Sequence, residues 1–277
     1  MLCIGIAAVI AAIGFLIHGM WNDYTARINS EATVQLLNEQ IADNQREYEG
    51  RDAKNTQEYL ESIPELIEIN GEFYIGVLRI PALALELPVN NNWSSERLRS
   101  SPCRHSGDLT SSLVVVAHNF RSQFGRLGRL SSGDKLLITD GAGNEHWYNI
   151  ESVAAIRGTN IAPMIDESYD LTLFTCTLDR QHRTVVRSNR ISLDSVPFPG
   201  YDIRQGQVNG NVLLIQRYLN RIRSIQPDIA YLEEDASFGP ITRNAVLTFQ
   251  ELYSLPDTGI VDSATWNRIL MVYNTVR

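Results

Sequence analysis

Leu171-Thr172-Leu173-Phe174-Thr175-Cys176 is followed, seven residues after its cysteine, by Arg183-Thr184-Val185-Val186. The first run is apolar, β-prone and short enough for a buried strand, and the second stays β-prone as far as Ile191. Joined by the turn Leu178-Asp179-Arg180-Gln181, two adjacent strands would bring the Cys176 thiol and the Arg183 guanidinium near each other. A thiol beside a fixed cation is acidified towards thiolate, the form that attacks carbonyls. Taken alone the pair has a plainer reading, since free cysteines mostly end as small buried apolar residues.

Upstream, the β character begins at Phe73. Tyr74 to Pro81 and Leu83 to Val89 read as two short strands punctuated by prolines, and Leu113 to Ala117 as a third that ends on His118. Lys135 to Thr139, the turn Asp140-Gly141-Ala142-Gly143 and Glu145 to Ile156 read as a hairpin. So many short strands with little helix between them predict a closed β-barrel or sandwich over residues 71–193. The Pro- and Gly-containing stretch 194–206 reads as a linker. Beyond it, Val212 to Ile222, Thr242 to Tyr253 and Ala264 to Val272 have helical periodicity, predicting a small three-helix domain over 207–277.

The N-terminus has a different character. Leu2 to Ile17 is uncharged, and the apolar run extends through Met20-Trp21, roughly 18 to 20 residues against the ~20 that span a bilayer. Trp21 and Tyr24 stand where an interfacial aromatic belt would. Residues 1–21 are therefore expected to be a transmembrane anchor, and 22–70 a helical spacer with one narrow apolar stripe. The 277-residue chain has a net charge of −8, which argues against a nucleic-acid binder. Cys3, Cys103 and Cys176 are too few for a disulfide scaffold, and no metal-ligand cluster or cofactor motif is visible, so no cofactor is expected.

His118, Cys176 and Arg183 thus stand at strand ends of one β domain. Thiolate, imidazole and guanidinium are what a cysteine transacylase needs as nucleophile, proton carrier and oxyanion donor. Here the sequence resembles the sortase family. Tyr74-Ile75-Gly76-Val77-Leu78-Arg79-Ile80-Pro81 is similar to the family's opening strand, and Val115-Val116-Ala117-His118-Asn119 to its histidine segment. Phe124 to Lys135 is similar to the stretch that follows, and Thr172 to Cys176 with Arg183 resembles the TLxTC…R signature.

The resemblance implies an eight-stranded barrel and a single-pass enzyme on the extracellular face of a Gram-positive cell membrane. By motif position it makes Cys176 the nucleophile, His118 the general acid/base and Arg183 the oxyanion residue. Its implied substrate is a secreted protein with a C-terminal sorting signal of the LPxTG or NPxTN kind. The acyl group would be cut after Thr, held as a thioester and passed to a cell-wall or pilin amine. Ala117 stands where many relatives have Gly. His182, His105 and His146 rank below His118 as bases, and Arg187 shares the face of Arg183 in a regular strand.

The helices resemble a peptidoglycan-binding domain of the three-helix type. Leu213…Gln216…Leu219, Phe238 to Thr242 with Ala245-Val246 and Phe249-Gln250, and Thr258 to Asp262 with Thr265-Trp266 carry that likeness. Ala236 stands where that family usually has Gly. An enzyme held on the polymer that bears its acceptor amine gains effective concentration. Two rivals are a non-catalytic wall-binding scaffold and an L,D-transpeptidase. The intact His118, Cys176 and Arg183 set opposes the first. The second resembles S-H-G-C-x-R, whereas Thr177 and Leu178 follow Cys176 here.

Overall fold

β-Branched and aromatic runs broken by turn residues pair as strands in the computed structural model, which describes residues 2–49, 66–159, 162–177 and 181–276. The strands are β1 (Ile67–Ile69), β2 (Glu72–Ile80), β3 (Leu85–Asn90), β4 (Cys103–Ser106) and β5 (Leu113–Val116). They continue as β6 (Lys135–Asp140), β7 (Glu145–Arg157), β8 (Leu171–Cys176) and β9 (His182–Arg190). Eight of them form a ring in the order β2-β3-β4-β5-β8-β9-β7-β6, closed by β6 pairing with β2, while the short β1 flanks the start of β2. This is a closed eight-stranded barrel, and closure removes the exposed edges that an open sheet would leave. At the closure Gly76 adopts φ +152, and a Cβ there would stand 2.0 Å from the Thr139 carbonyl oxygen. Only glycine lets β6 approach so closely.

Leu78, Val115, Ile138, Tyr148, Leu173 and Val186 are each fully buried inside the barrel. They alternate with residues on its outer face, as a period of two requires.

The N-terminal segment differs from its expected division into anchor and spacer. One unbroken helix, α1 (Leu2–Glu49), covers both. Among the described residues no helix is long and apolar enough to cross a membrane, so the span expected over 1–21 is not shown. Residues 22–49 do not stand clear of the barrel as a spacer would. Val34, Leu37 and Ile41 pack against Ile67, Tyr74 and Val77, so the narrow apolar stripe has a partner. Asn44 and Gln45 donate to the carbonyls of Gly141 (2.7 Å) and Gly143 (3.1 Å), fastening the far end of the helix to the β6–β7 turn. Of the remainder of the expected spacer, 50–65 lie outside the described residues, and Ile67–Ile69 form β1 and not helix.

The C-terminal helices are α2 (Gly210–Ile222), α3 (Pro240–Leu252) and α4 (Ser263–Tyr273). Asn209 caps α2 and Asp262 caps α4, while Pro240 opens α3 where its missing N–H costs nothing. Two buried glutamines hold the connecting loops. Gln216 donates to Asp235 (2.7 Å) and accepts from the Ala236 N–H (2.9 Å), and Gln250 donates to Ile260 O (2.8 Å) and accepts from the Gly259 N–H (2.8 Å). Ala236 has φ +62, the left-handed conformation that favours the glycine usual at this position.

This domain is not tethered by a free linker. Val196 is 1% exposed in one apolar cluster with Leu137 and Trp147 of the barrel and Tyr218 and Trp266 of the helices. The Trp266 indole donates to Val196 O (3.0 Å), and Arg217 of α2 pairs with Glu145 of β7 (2.7 Å). A Cβ on Gly210 would lie 2.4 Å from Lys135 Cβ, so α2 meets β6 at glycine contact distance.

Leu37 is fully buried between α1 and the barrel. Leu37→Ala is expected to cost about 3 kcal/mol, read as a lower denaturation midpoint. An unchanged midpoint would mean that α1 does not dock.

Candidate active site

Strand register builds the site. In the antiparallel pair β8–β9, Cys176 lies opposite Arg183, Phe174 opposite Val185 and Thr172 opposite Arg187. In the parallel pair β5–β8, Val116 lies beside Phe174 and Val114 beside Thr172. On β7, Ile156 pairs with Arg183. Leu171 and Leu173 join the inner core, so alternation turns Cys176 to the outer face. Cys176 and Arg183 therefore lie opposite each other, His118 follows two residues past the end of the neighbouring β5, and all three are half-buried. The buried Thr175 hydroxyl donates to Ala117 O (2.8 Å), tying the neighbour of Cys176 to that of His118.

Behind Cys176 and Arg183 the outer face is apolar. Val114, Phe174 and Val185 are buried together with Met164 of the loop 162–170, and Val116 and Ile156 pack at their side. Tyr169 of the same loop lies under the Arg187 guanidinium, 5.5 Å from ring centroid to Cζ. Arg187 does share the face of Arg183, two rows from the cysteine and beneath the loop.

Each polar group has its own surroundings. The His118 main-chain N–H donates to Gln123 Oε1 (3.1 Å), and the imidazole lies 5.0 Å from the Phe120 ring. Burial, and then the positive charge of Arg99, hold the imidazole below the ordinary histidine pKa, which keeps it neutral at neutral pH. Arg183 Nη1 donates to His182 O (3.1 Å), and its guanidinium lies over Gly158, where an added Cβ would meet Nη1 at 2.9 Å. Cys103 is fully buried, its Sγ donates to Ser101 O (3.5 Å), and burial pushes its thiol up to about 11. That makes it a poor nucleophile beside the half-exposed Cys176.

The other histidines fall in different places. The His182 main chain closes the β8–β9 turn against Thr177, and alternation turns its side chain away from the Arg183 face. His146 pairs with Asp140 (2.9 Å) at the β6–β7 end. His105, ranked low from sequence, packs edge-on against Phe174 at 5.8 Å, on the apolar face that leads to Cys176. Sequence reasoning also missed Gly158, Gln123 and Thr175. Thr175 was adjacent to the cysteine and open to notice, whereas Gly158 and Gln123 reach the site only through folding. Leu178, Asp179 and Arg180 of the expected turn lie outside the described residues. Among the described residues no three His, Cys, Asp or Glu side chains cluster as metal ligands.

Family models match both the barrel and the helical domain. Residues 78–191 match the sortase domain model and residues 208–269 the peptidoglycan-binding domain model. The barrel thus carries a sortase domain, which supports a cysteine transpeptidase, and a peptidoglycan-binding domain follows it. Among solved structures, sortase C1 of group B Streptococcus pilus island 1 is 21% identical with a TM-score of 0.46, over 59% of this chain and 92% of that one. The sortase D5 transpeptidase of Clostridium perfringens is 15% identical with a TM-score of 0.45, over 59% and 99%. Sortase C-1 of Streptococcus pneumoniae is 24% identical with a TM-score of 0.42, over 56% and 98%. None of the curated proteins compared with the chain matches it.

Two outcomes follow from the geometry. Gly158→Ala should push the Arg183 guanidinium aside and lower kcat roughly tenfold or more without moving the thermal midpoint; wild-type kcat would show that Arg183 needs no such space. Arg99→Ala should raise the His118 titration midpoint towards the ordinary value, because a repelling cation is gone. Histidine-ring NMR reads this directly, and a fall or no change would contradict the assigned cause.

Proposed function

We propose that the chain is a transpeptidase acting on a C-terminal sorting signal of LPxTG or NPxTN type, with Cys176 as nucleophile, His118 as general acid/base and Arg183 as oxyanion donor. The observation that carries this is Cys176 opposite Arg183 on paired strands, with His118 two residues past the end of the neighbouring β5. In the proposed cycle, Cys176 Sγ attacks the carbonyl carbon of the signal's threonine while the neutral His118 takes the thiol proton. His118 returns that proton to the leaving amine as the peptide bond breaks, and a thioester remains. Arg183 hydrogen-bonds the oxyanion in both half-reactions, a role suited to a cation that never deprotonates. An incoming amine of a cell-wall peptide or a pilin lysine attacks the thioester, loses its proton to His118 and frees Sγ.

The apolar floor of Val116, Phe174 and Val185 supports an extended peptide with an apolar residue ahead of the scissile bond. The helical domain supports action at peptidoglycan, where the polymer would concentrate the acceptor. We further propose an extracellular position at the cell membrane, with the N-terminal apolar run of α1 as its membrane-facing part. Ile13, Ile17, Met20 and Trp21 are exposed on that helix, which supports a lipid neighbour.

The test is to incubate the full chain with fluorogenic LPxTG- and NPxTN-type peptides, with and without an amine acceptor, beside Cys176→Ala and Arg183→Ala. Cleavage with amine-dependent product is expected, abolished in Cys176→Ala and lowered about a hundredfold or more in Arg183→Ala. Cleavage that survives in Cys176→Ala would remove the thiol from the mechanism. An inactive wild type would overturn the proposed substrate class.

A further inference from the structure

The strand β5 ends at Val116, and His118 belongs to the loop that follows. What fixes the imidazole is therefore the loop and not a strand ladder. Inside the loop, Gln123 is fully buried and uses both ends of its amide. Oε1 accepts from the His118 main-chain N–H (3.1 Å) and Nε2 donates to Leu98 O (3.3 Å), so one side chain joins the backbone of His118 to the turn that carries Arg99. The Phe124 N–H donates back to His118 O (3.2 Å), and the Gly125 N–H to Phe120 O (2.8 Å). A Cβ on Gly125 would stand 2.3 Å from Asn119 O, so the loop is already closed as tightly as a glycine allows.

The outside of the same loop is held by the N-terminal helix. Asp23 of α1 accepts the Ser122 N–H at Oδ1 (3.0 Å), and the Ser122 hydroxyl donates to Asp23 O (3.2 Å) and to the same carboxylate oxygen. Ser122 is the residue next to Gln123. A displacement at Ser122 is therefore passed through one peptide to the amide that holds His118. Downstream the helix is anchored independently by Leu37 in the barrel cluster and by Asn44 and Gln45 on the β6–β7 turn. It thus offers Asp23 from a fixed support.

We propose that α1 is a positioning element of the active site, with Asp23 setting His118 through Ser122 and Gln123. This rests on the reading of His118 as the acid/base residue. Asp23 touches no reacting atom; it is a positioning residue. Its loss leaves the peptide-binding face intact and releases the proton carrier, and misplacement of a catalytic group by about 1 Å costs up to roughly a hundredfold in rate.

The test measures steady-state acyl transfer by the full chain, using the peptide that the wild type cleaves. Asp23→Ala and Ser122→Ala should each lower kcat about tenfold with KM unchanged, and the double variant should lose no more than either alone. Asp23→Asn keeps an Oδ1 acceptor for both Ser122 donors and should restore wild-type kcat. Arg27→Ala, one turn further along the same exposed helix face, should leave kcat unaltered. A parallel measurement needs no substrate: His118 ring resonances, assigned through His118→Gln, should move in Asp23→Ala and Ser122→Ala but not in Arg27→Ala. This second arm reports on the loop even if every peptide is refused, so a wrong substrate class and a wrong positioning role are told apart. Unmoved His118 resonances in Asp23→Ala would overturn the proposal, as would an undiminished kcat. A rise in KM alone would also overturn it, because the contact would then belong to substrate binding.

Discussion

The pairing register of β8 between β5 and β9 is the constraint on which the site depends. Side chains on a strand alternate with a period of two, so a slip of one residue would turn Cys176 into the barrel and bring Thr175 out. Leu171 and Leu173 prevent this. Both are fully buried in the inner cluster, and exposing them would cost about 1.5–3 kcal/mol each. The same register puts Arg183 opposite Cys176 and sets His118 two residues beyond Val116 in the neighbouring strand. A reactive site is thus specified by residues that do no chemistry.

Burial then differentiates chemically identical groups. Cys103 and Cys176 are both free thiols, yet Cys103 is sealed where its charged form is disfavoured, and Cys176 lies at the barrel rim. His146 is held by the Asp140 carboxylate, whereas His118 faces a cation and an aromatic ring. The guanidinium of Arg183 occupies room that exists because position 158 lacks a side chain. Environment, more than residue type, separates the members of each pair.

Much of this was legible in the sequence, and for a local reason. Thr172 to Cys176 and Arg183 are joined by a turn of a few residues, so composition alone comes close to specifying their pairing. His118 could be read because it ends the apolar run Leu113 to Ala117. Gln123 and Gly158 could not, since a glutamine and a glycine in loops have no periodicity to betray what they touch. The stripe Val34, Leu37 and Ile41 is visible, but a stripe does not say whether a partner exists, so a docked helix and a spacer read alike. The stretch 194–206 reads as a linker from its prolines, and that composition does not show that Val196 is buried between the two domains.

The junction between the barrel and the C-terminal helices alters how wall attachment would act. A module on a flexible tether samples a sphere, and its benefit depends on tether length. Here Leu137, Trp147, Val196 and Trp266 share one core, and Arg217 pins Glu145 across the boundary. The two domains then behave as a jig. A strand of polymer gripped by the helices would be presented to Cys176 at a set distance and angle, so only amines at the matching spacing along the wall would be within reach. Selection among acceptors would be a matter of ruler length, decided by the domain boundary and not by the catalytic groups.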